Sequence, residues 1–197
     1  MTDAQTLRTY AEKAADYADL TRSDASDQPA FAAFLSEIPA GGHVLDLGCG
    51  PGHFSAELAK AGLVVTATDA VPEMVALAAR HNGVTAHCMT FDEISGSALY
   101  DGVWANFSLL HAPRDAMPIH LKALHRTLKP GGLIHIALKS GEGSIRDTIN
   151  RLYTYFTRRE LTDLLGSAGF TITANFGGTG VGLDGVSADW IAVQARA

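Results

Sequence analysis

Residues 44–54, which read VLDLGCGPGHF, constrain the fold more than any other part of this 197-residue chain. A short apolar run leads into three glycines spaced GxGxG, and a helix-forming stretch follows. Glycines let the backbone turn tightly and let a ligand approach without meeting a Cβ atom. In open α/β sheets such a loop lies at the carboxyl end of the first strand, beside the point where the strand order reverses. The segment therefore predicts a strand–loop–helix unit that binds a ligand.

The rest of the pattern predicts one α/β sheet. Seven runs have the length and apolar character of strands: residues 43–48, 63–69, 84–89, 100–108, 133–139, 171–176 and 189–195. Helical stretches separate the first three runs from one another and the fourth, fifth and sixth from one another, which favours right-handed crossovers and a parallel sheet. The last two runs have only a Gly-rich connection between them and are expected to be antiparallel. We predict a Rossmann-like doubly wound seven-stranded sheet, mostly parallel with an antiparallel last strand, and helices on both faces.

The length fits a single domain over residues 1–197. Residues 3–20 predict one helix, residues 21–28 a polar loop, and residues 29–38 a second helix that Pro39 and the following glycines end. Residues 1–40 are therefore predicted to form an N-terminal helical cap, and residues 41–197 a Rossmann-like core.

Charge and cysteine content narrow the functional classes. The net charge is −6, which argues against a large nucleic-acid interface because such interfaces need clustered Lys and Arg. Cys49 and Cys88 are far apart and belong to no CxxC pair, which fits a reducing compartment. The polar N-terminus lacks the apolar segment of a secretory signal, and no apolar run approaches the ~20 residues of a membrane helix. We expect a cytoplasmic protein that binds neither nucleic acid nor a membrane.

Two cofactor classes compete for the glycine loop. A dinucleotide fold carries GxGxxG, whereas here the third glycine comes one residue early and a proline precedes it. Asp69 ends the second strand, where a carboxylate binds ribose hydroxyls in either class. The shorter loop therefore favours a cofactor without a pyrophosphate group, and Asp69 alone does not discriminate.

The motifs VLDLGCGPGHF, VVTATDAVPEM, LKPGGLIHIAL and LLGSAGF, in this order, resemble the class I S-adenosylmethionine (SAM)-dependent methyltransferases. The similarity extends from about residue 42 to residue 195. The segments MTFDEI, YDGVWANFSLLHAP and DWIAVQARA resemble a bacterial subgroup of small-molecule enzymes that lies close to tellurite-resistance-like proteins. The resemblance implies SAM as cofactor, S-adenosylhomocysteine as product, and a methyl acceptor that the sequence does not identify.

The resemblance also implies a set of cofactor-binding residues. Gly48, Cys49 and Gly50 are expected to line the methionine part of SAM, Asp69 to bind the ribose, and Ala70 and Met74 to face the adenine. The remaining residues of the set are Asp46 before the loop, Met89, Thr90 and Phe91 after the third strand, Asn106, Phe107 and Ser108 after the fourth, and Tyr10 and Tyr17 in the cap.

Candidate catalytic residues follow the fourth and fifth strands. His111 is the best candidate general base, and Tyr153 the second candidate catalytic residue. Lys139, Arg151 and Tyr155, together with His111, are expected to bind a polar or anionic acceptor. No histidine pair has metal-ligand spacing, so we predict no metal.

The class of acceptor follows partly from an absent motif. Enzymes that methylate amino groups in DNA carry Asn- or Asp-Pro-Pro-aromatic after the fourth strand, where this chain has Asn-Phe-Ser-Leu. A small molecule is the default acceptor. Two alternatives stay open: a SAM-binding sensor or inactive partner subunit without methyl transfer, and a dinucleotide-dependent enzyme. The sequence is compatible with a monomer or a homodimer.

Overall fold

The computed structural model describes residues 3–21 and 28–197 and shows a seven-stranded sheet. Its strands are β1 (His43–Leu47), β2 (Val64–Asp69), β3 (Val84–Cys88), β4 (Tyr100–Asn106), β5 (Leu128–Lys139), β8 (Thr171–Val181) and β9 (Ser187–Arg196), while β6 (Ser144–Arg146) and β7 (Leu152–Thr154) form a separate two-stranded sheet. The strand order is β3-β2-β1-β4-β5-β9-β8, and β9 runs antiparallel to both of its neighbours, β5 and β8. The predicted fold class is confirmed.

Helices cover both faces of the sheet. They are α1 (Ala4–Glu12), α2 (Ala14–Leu20), α3 (Pro29–Glu37), α4 (His53–Lys60), α5 (Pro72–Ala78), α6 (Met117–Thr127) and α7 (Arg158–Ser167). One core cluster joins α3 and α4 to the sheet around the fully buried Trp104. A larger cluster joins α6 and α7 to the other face. Thr157 and Glu160 form the capping box that starts α7.

Two predicted elements need correction. The helix expected over residues 3–20 is interrupted at Lys13, whose φ of −109° and ψ of 19° are not helical, so α1 and α2 are separate. The connection expected between the last two strands is mostly strand, because β8 continues through its glycines to Val181. The predicted loop over residues 21–28 lies largely outside the described residues. The boundary between cap and core near residue 40 stays a prediction.

The segment between β5 and α7 contains the β6–β7 hairpin. This hairpin docks on α1 through polar contacts that we call the α1–hairpin interface. Arg146 forms two hydrogen bonds of 3.0 Å with the Asp3 carboxylate. The Leu152 amide donates to the Thr6 hydroxyl at 2.8 Å, and the Thr9 hydroxyl donates to a carbonyl of the hairpin's loop at 3.0 Å. Spacing of three residues places these side chains near one face of α1.

Of the helices in the described ranges, none has both the length and the apolar character required to span a bilayer.

Candidate functional site

The glycine loop joins β1 to α4 at the carboxyl edge of the sheet. The amides of Gly48 and Cys49 donate to the Thr68 carbonyl at 2.7 and 2.9 Å, which ties the loop to β2. Gly48 has a φ of +68°, and a Cβ atom added there would lie 2.3 Å from the Ser108 Cβ. The loop therefore needs glycine both for its left-handed backbone and for its close approach to the segment after β4.

Asp69, at the end of β2, holds the same loop. Its two carboxylate oxygens accept from the Gly50 and Val71 amides, each at 2.9 Å. Burial raises the pKa of Asp69, while the amide hydrogen bonds oppose that shift. Each oxygen keeps further lone-pair capacity for a ligand hydroxyl.

Asp46 lies beneath the loop and is 3% exposed. The Ser55 hydroxyl, in α4, donates to its carboxylate at 2.5 Å. Burial raises the pKa of Asp46 to about 7. Burial and the neighbouring carboxylates raise the pKa of the Cys49 thiol well above its usual value, so Cys49 is a neutral thiol and not a nucleophile.

A cavity of about 800 Å³ opens at this edge of the sheet. Thirteen of the predicted cofactor residues line it: Tyr10, Tyr17, Asp46, Gly48, Cys49, Gly50, Asp69, Ala70, Met74, Phe91, Asn106, Phe107 and Ser108. Four of the predicted catalytic or acceptor residues line it as well: His111, Lys139, Arg151 and Tyr153.

Met89, Thr90 and Tyr155 are not among the residues that line the cavity, and their roles stay predictions. Met89 packs against the larger core cluster. The amide and the hydroxyl of Thr90 both donate to the Glu93 carboxylate at 2.8 Å, and the two residues form a capping box at the start of a short 3₁₀ turn. The ring of Tyr155 stacks on Tyr153 with centroids 6.3 Å apart and lies outside the cavity.

His111 lies in a 3₁₀ turn after β4 and has both ring nitrogens engaged. Nδ1 is 2.7 Å from the Leu152 carbonyl, which only accepts, so Nδ1 carries the proton. Nε2 therefore accepts from the Tyr10 hydroxyl at 3.0 Å. Burial lowers the pKa of His111 to about 4, which leaves the ring neutral. Because the Tyr10 hydroxyl already occupies Nε2, an acceptor cannot donate its proton directly to His111 in this arrangement. A role of His111 as a general base in direct contact with the acceptor is therefore not supported by this geometry.

Three further predicted residues line the same cavity: Arg151, Tyr153 and Lys139. Arg151 is 1% exposed, and its Nε donates to Asp147 at 2.8 Å. Its Nη1 donates to the Tyr10 hydroxyl at 3.1 Å. The Lys139 ammonium lies 4.2 Å from the centre of the Tyr153 ring, a cation–π contact that holds the positive charge at the cavity wall.

Several wall residues were not predicted. Phe176 and Trp190 line the cavity from the part of the β8–β9 hairpin that pairs beside the end of β5, and Gly182 lines it from the turn after β8. Trp190 lies edge-on to Phe107, whose φ of +53° is uncommon for a residue other than glycine. The apolar spacing of residues 189–195 predicted a strand but did not indicate that Trp190 faces the cavity.

Buried polar atoms also mark the cavity. The Ser108 hydroxyl oxygen is buried and has no hydrogen-bond partner among the described residues. Beside it, His135 Nε2 donates to the Asn106 side-chain oxygen at 3.4 Å, and burial keeps His135 neutral with a pKa of about 3. Within residues 3–21 and 28–197, no cluster of His, Cys, Asp and Glu side chains is arranged to hold a metal ion.

Comparison with known proteins relates this chain to methyltransferases. Residues 44–132 match the family model described as a methyltransferase domain. The structure is similar to Burkholderia thailandensis 1,6-didemethyltoxoflavin N1-methyltransferase with bound 1,6-didemethyltoxoflavin and S-adenosylhomocysteine. That similarity has a TM-score of 0.79 at 28% identity and covers 98% of this chain and 87% of that one.

Curated relatives share about half of the chain. A ubiquinone biosynthesis O-methyltransferase of Xanthomonas axonopodis pv. citri (strain 306) is 34% identical over 106 residues, which cover 50% of this chain and 44% of the relative. The S-adenosyl-L-methionine-dependent Diels-Alderase iccD of Talaromyces variabilis is 34% identical over 105 residues, covering 48% and 35%. The chain thus spans less than half the length of these curated relatives.

Proposed function

We propose that this protein transfers the methyl group of SAM to a small-molecule acceptor. The observation that carries the proposal is one cavity with two chemically different halves. The glycine loop and Asp69 line one half, and a buried His, Arg and two Tyr side chains line the other. Ligand pockets typically have volumes of about 300–1,000 Å³, so a cavity of about 800 Å³ has room for a cofactor and a second small molecule.

The residues at the loop fit SAM. Asp69 retains lone pairs for the ribose hydroxyls, and the buried Ser108 hydroxyl lacks a protein partner. Glycine at position 48 leaves the space that a side chain would fill. Bound SAM supplies an electrophilic methyl carbon. The protein's part is to orient the nucleophile, to exclude water and to receive a proton where the nucleophile has one.

The acceptor is assigned to the part of the cavity lined by His111, Lys139, Arg151 and Tyr153, together with Trp190. Aromatic rings beside a charged and a hydrogen-bonding group suit a small planar molecule with polar substituents. The similar proteins named for 1,6-didemethyltoxoflavin and for ubiquinone biosynthesis support this class. The net charge of −6 disfavours a nucleic acid. The resemblance to tellurite-resistance-like proteins contributes no acceptor.

One alternative has a specific observation in its favour. A relative of similar identity is named as a Diels-Alderase that depends on SAM, so a SAM site of this kind also occurs in a protein named for another reaction. SAM binding without methyl transfer therefore stays as the second candidate. The dinucleotide alternative has no support among the relatives described above.

Calorimetry with SAM, S-adenosylhomocysteine and NAD tests the cofactor. We expect the first two to bind and NAD not to bind; binding of NAD alone would overturn the proposal. Asp69→Ala removes a charged hydrogen-bond acceptor and is expected to weaken SAM binding by about 1.5–3 kcal/mol. Asp163→Ala, an exposed carboxylate on α7, is the matched control. Unchanged affinity in Asp69→Ala would mean that the ribose lies elsewhere.

Methyl transfer needs its own assay. Radiolabelled SAM with a panel of small phenols, thiols and nitrogen heterocycles should yield a labelled product. Binding of SAM without a labelled product from any acceptor class would favour the second candidate.

A further inference from the structure

We propose that Tyr10 is a catalytic residue that relays the acceptor's proton to His111. The inference rests on the proposed methyl transfer and deepens it. Tyr10 was expected only to cover the cofactor. In the structure its hydroxyl lies between two hydrogen-bonding partners, His111 at 3.0 Å, which can receive a proton, and Arg151 at 3.1 Å, which donates to the phenol oxygen.

The directions of the hydrogen bonds follow from the partners. Arg151 has only donors, so it donates to the Tyr10 oxygen. The Leu152 carbonyl only accepts, which fixes the proton of His111 on Nδ1 and leaves Nε2 as an acceptor. The Tyr10 hydroxyl proton therefore points at Nε2. The Tyr153 hydroxyl also donates to the Tyr10 oxygen. Both residues line the cavity, so an acceptor O–H, N–H or S–H group would take the place of the Tyr153 hydroxyl on the Tyr10 oxygen.

The proposed step is balanced. The bond between the acceptor atom and the methyl carbon forms as the bond between sulfur and that carbon breaks. The acceptor's proton moves to the Tyr10 oxygen, and the Tyr10 proton moves to His111 Nε2. Burial raises the pKa of Tyr10, which disfavours a free tyrosinate, so both protons move together.

Charge explains why a buried histidine can receive this proton. Burial disfavours imidazolium while another cation occupies the cavity. Methyl transfer converts a sulfonium cation into a neutral thioether, so a proton on His111 restores the positive charge that the site has lost. The charged groups near the His111 ring are Arg151, Asp147 and Lys139. The opposite charges of Arg151 and Asp147, which form an ion pair at 2.7 Å, largely cancel each other's effect on the ring.

Nitrogen NMR of ¹⁵N-histidine-labelled protein tests the relay without an acceptor. With SAM or S-adenosylhomocysteine bound, we expect His111 to be neutral with its proton on Nδ1. Tyr10→Phe should shift the Nε2 resonance toward that of a nitrogen without a hydrogen bond. Tyr100→Phe, in β4 against His43, should leave it unchanged. A proton on Nε2, or an Nε2 resonance unaffected by Tyr10→Phe, would overturn the proposal.

Turnover gives a second readout, with 1,6-didemethyltoxoflavin and catechol as probes. We expect Tyr10→Phe to lower kcat about 100-fold with an unchanged Kd for S-adenosylhomocysteine. The solvent isotope effect should indicate two protons in flight in the wild type. Wild-type kcat in Tyr10→Phe on a methylated probe would overturn the relay. If neither probe is methylated, the NMR result alone decides. Absence of SAM binding would instead refute the proposed function.

Discussion

Thr6→Val tests whether the α1–hairpin interface stabilises the fold beside the cavity, which Thr6 itself lines. Thr6 is 1% exposed. Its hydroxyl accepts from the Leu152 amide at 2.8 Å and donates to Asp3 at 2.9 Å. Valine keeps the shape of threonine and removes both hydrogen bonds. Because Leu152 also supplies the carbonyl that fixes the His111 tautomer, the change acts next to the site without altering the cavity wall's charged groups.

The expected size of the effect follows from the two hydrogen-bonding groups that lose a partner. The Leu152 amide loses its partner in a largely buried setting, which costs about 1–3 kcal/mol. Asp3 loses less, because its carboxylate keeps the Thr6 amide and Arg146. We therefore expect Thr6→Val to lower the free energy of unfolding by about 1–3 kcal/mol. The same free energy corresponds to about 5-fold to 150-fold faster hydrogen exchange at the Leu152 amide.

Urea denaturation measures the free energy of unfolding, and amide hydrogen exchange measures the local effect at Leu152. Thr162→Val is the matched control, because its exposed hydroxyl donates only to a carbonyl of its own helix α7; we expect a change within about 0.5 kcal/mol. If Thr6→Val behaved like this control and the Leu152 amide exchanged at the wild-type rate, the α1–hairpin interface would not stabilise the fold. That result would refute the prediction.

Two further predictions concern the cofactor half of the site. Gly48→Ala should lower the free energy of unfolding by more than about 2 kcal/mol, because a left-handed backbone costs roughly 1–2 kcal/mol and the added Cβ would lie 2.3 Å from the Ser108 Cβ. Gly62→Ala is the control in the same urea assay. Gly62 has a φ of +83° and nothing within 4 Å of an added Cβ, so this variant should show the backbone cost alone. Burial raises the pKa of Asp46 from 3.8 to about 7, so the folded state binds more protons than the unfolded state between these pH values. The free energy of unfolding of the wild type should therefore fall relative to that of Asp46→Asn as the pH rises from about 4 to 7. Parallel profiles of this free energy against pH for the two proteins would contradict the prediction.

The cofactor half of the site was predictable because its determinants are local in sequence. The spacing of glycines after an apolar run determines a strand, a left-handed turn and a helix start within 11 residues. Asp69 follows from the same rule applied to the next strand, because the carboxyl ends of parallel strands meet at one edge. The antiparallel β9 was predictable because no crossover helix separates it from β8.

Other predictions failed where local propensity and tertiary contacts disagree. Nothing in residues 3–20 signals a break, yet the chain leaves helical geometry at Lys13. Thr90 has the character of a ligand-binding hydroxyl, but Glu93 stands three residues later and completes a capping box with it. That signal was present in the sequence and indicates a capping role for the hydroxyl.

The acceptor half could not be derived from local pattern, since its groups come from segments far apart in the chain. Tyr10 and His111 are 101 residues apart, and Tyr10 and Arg151 are 141 apart. Each alone suits packing or surface roles, and only the fold brings them together. Docking α1 on the β6–β7 hairpin places the Tyr10 hydroxyl between a guanidinium and an imidazole. A change that disturbs the α1–hairpin interface should therefore affect the proton path more than the glycine loop, because the loop is held by β2 through Thr68 and Asp69.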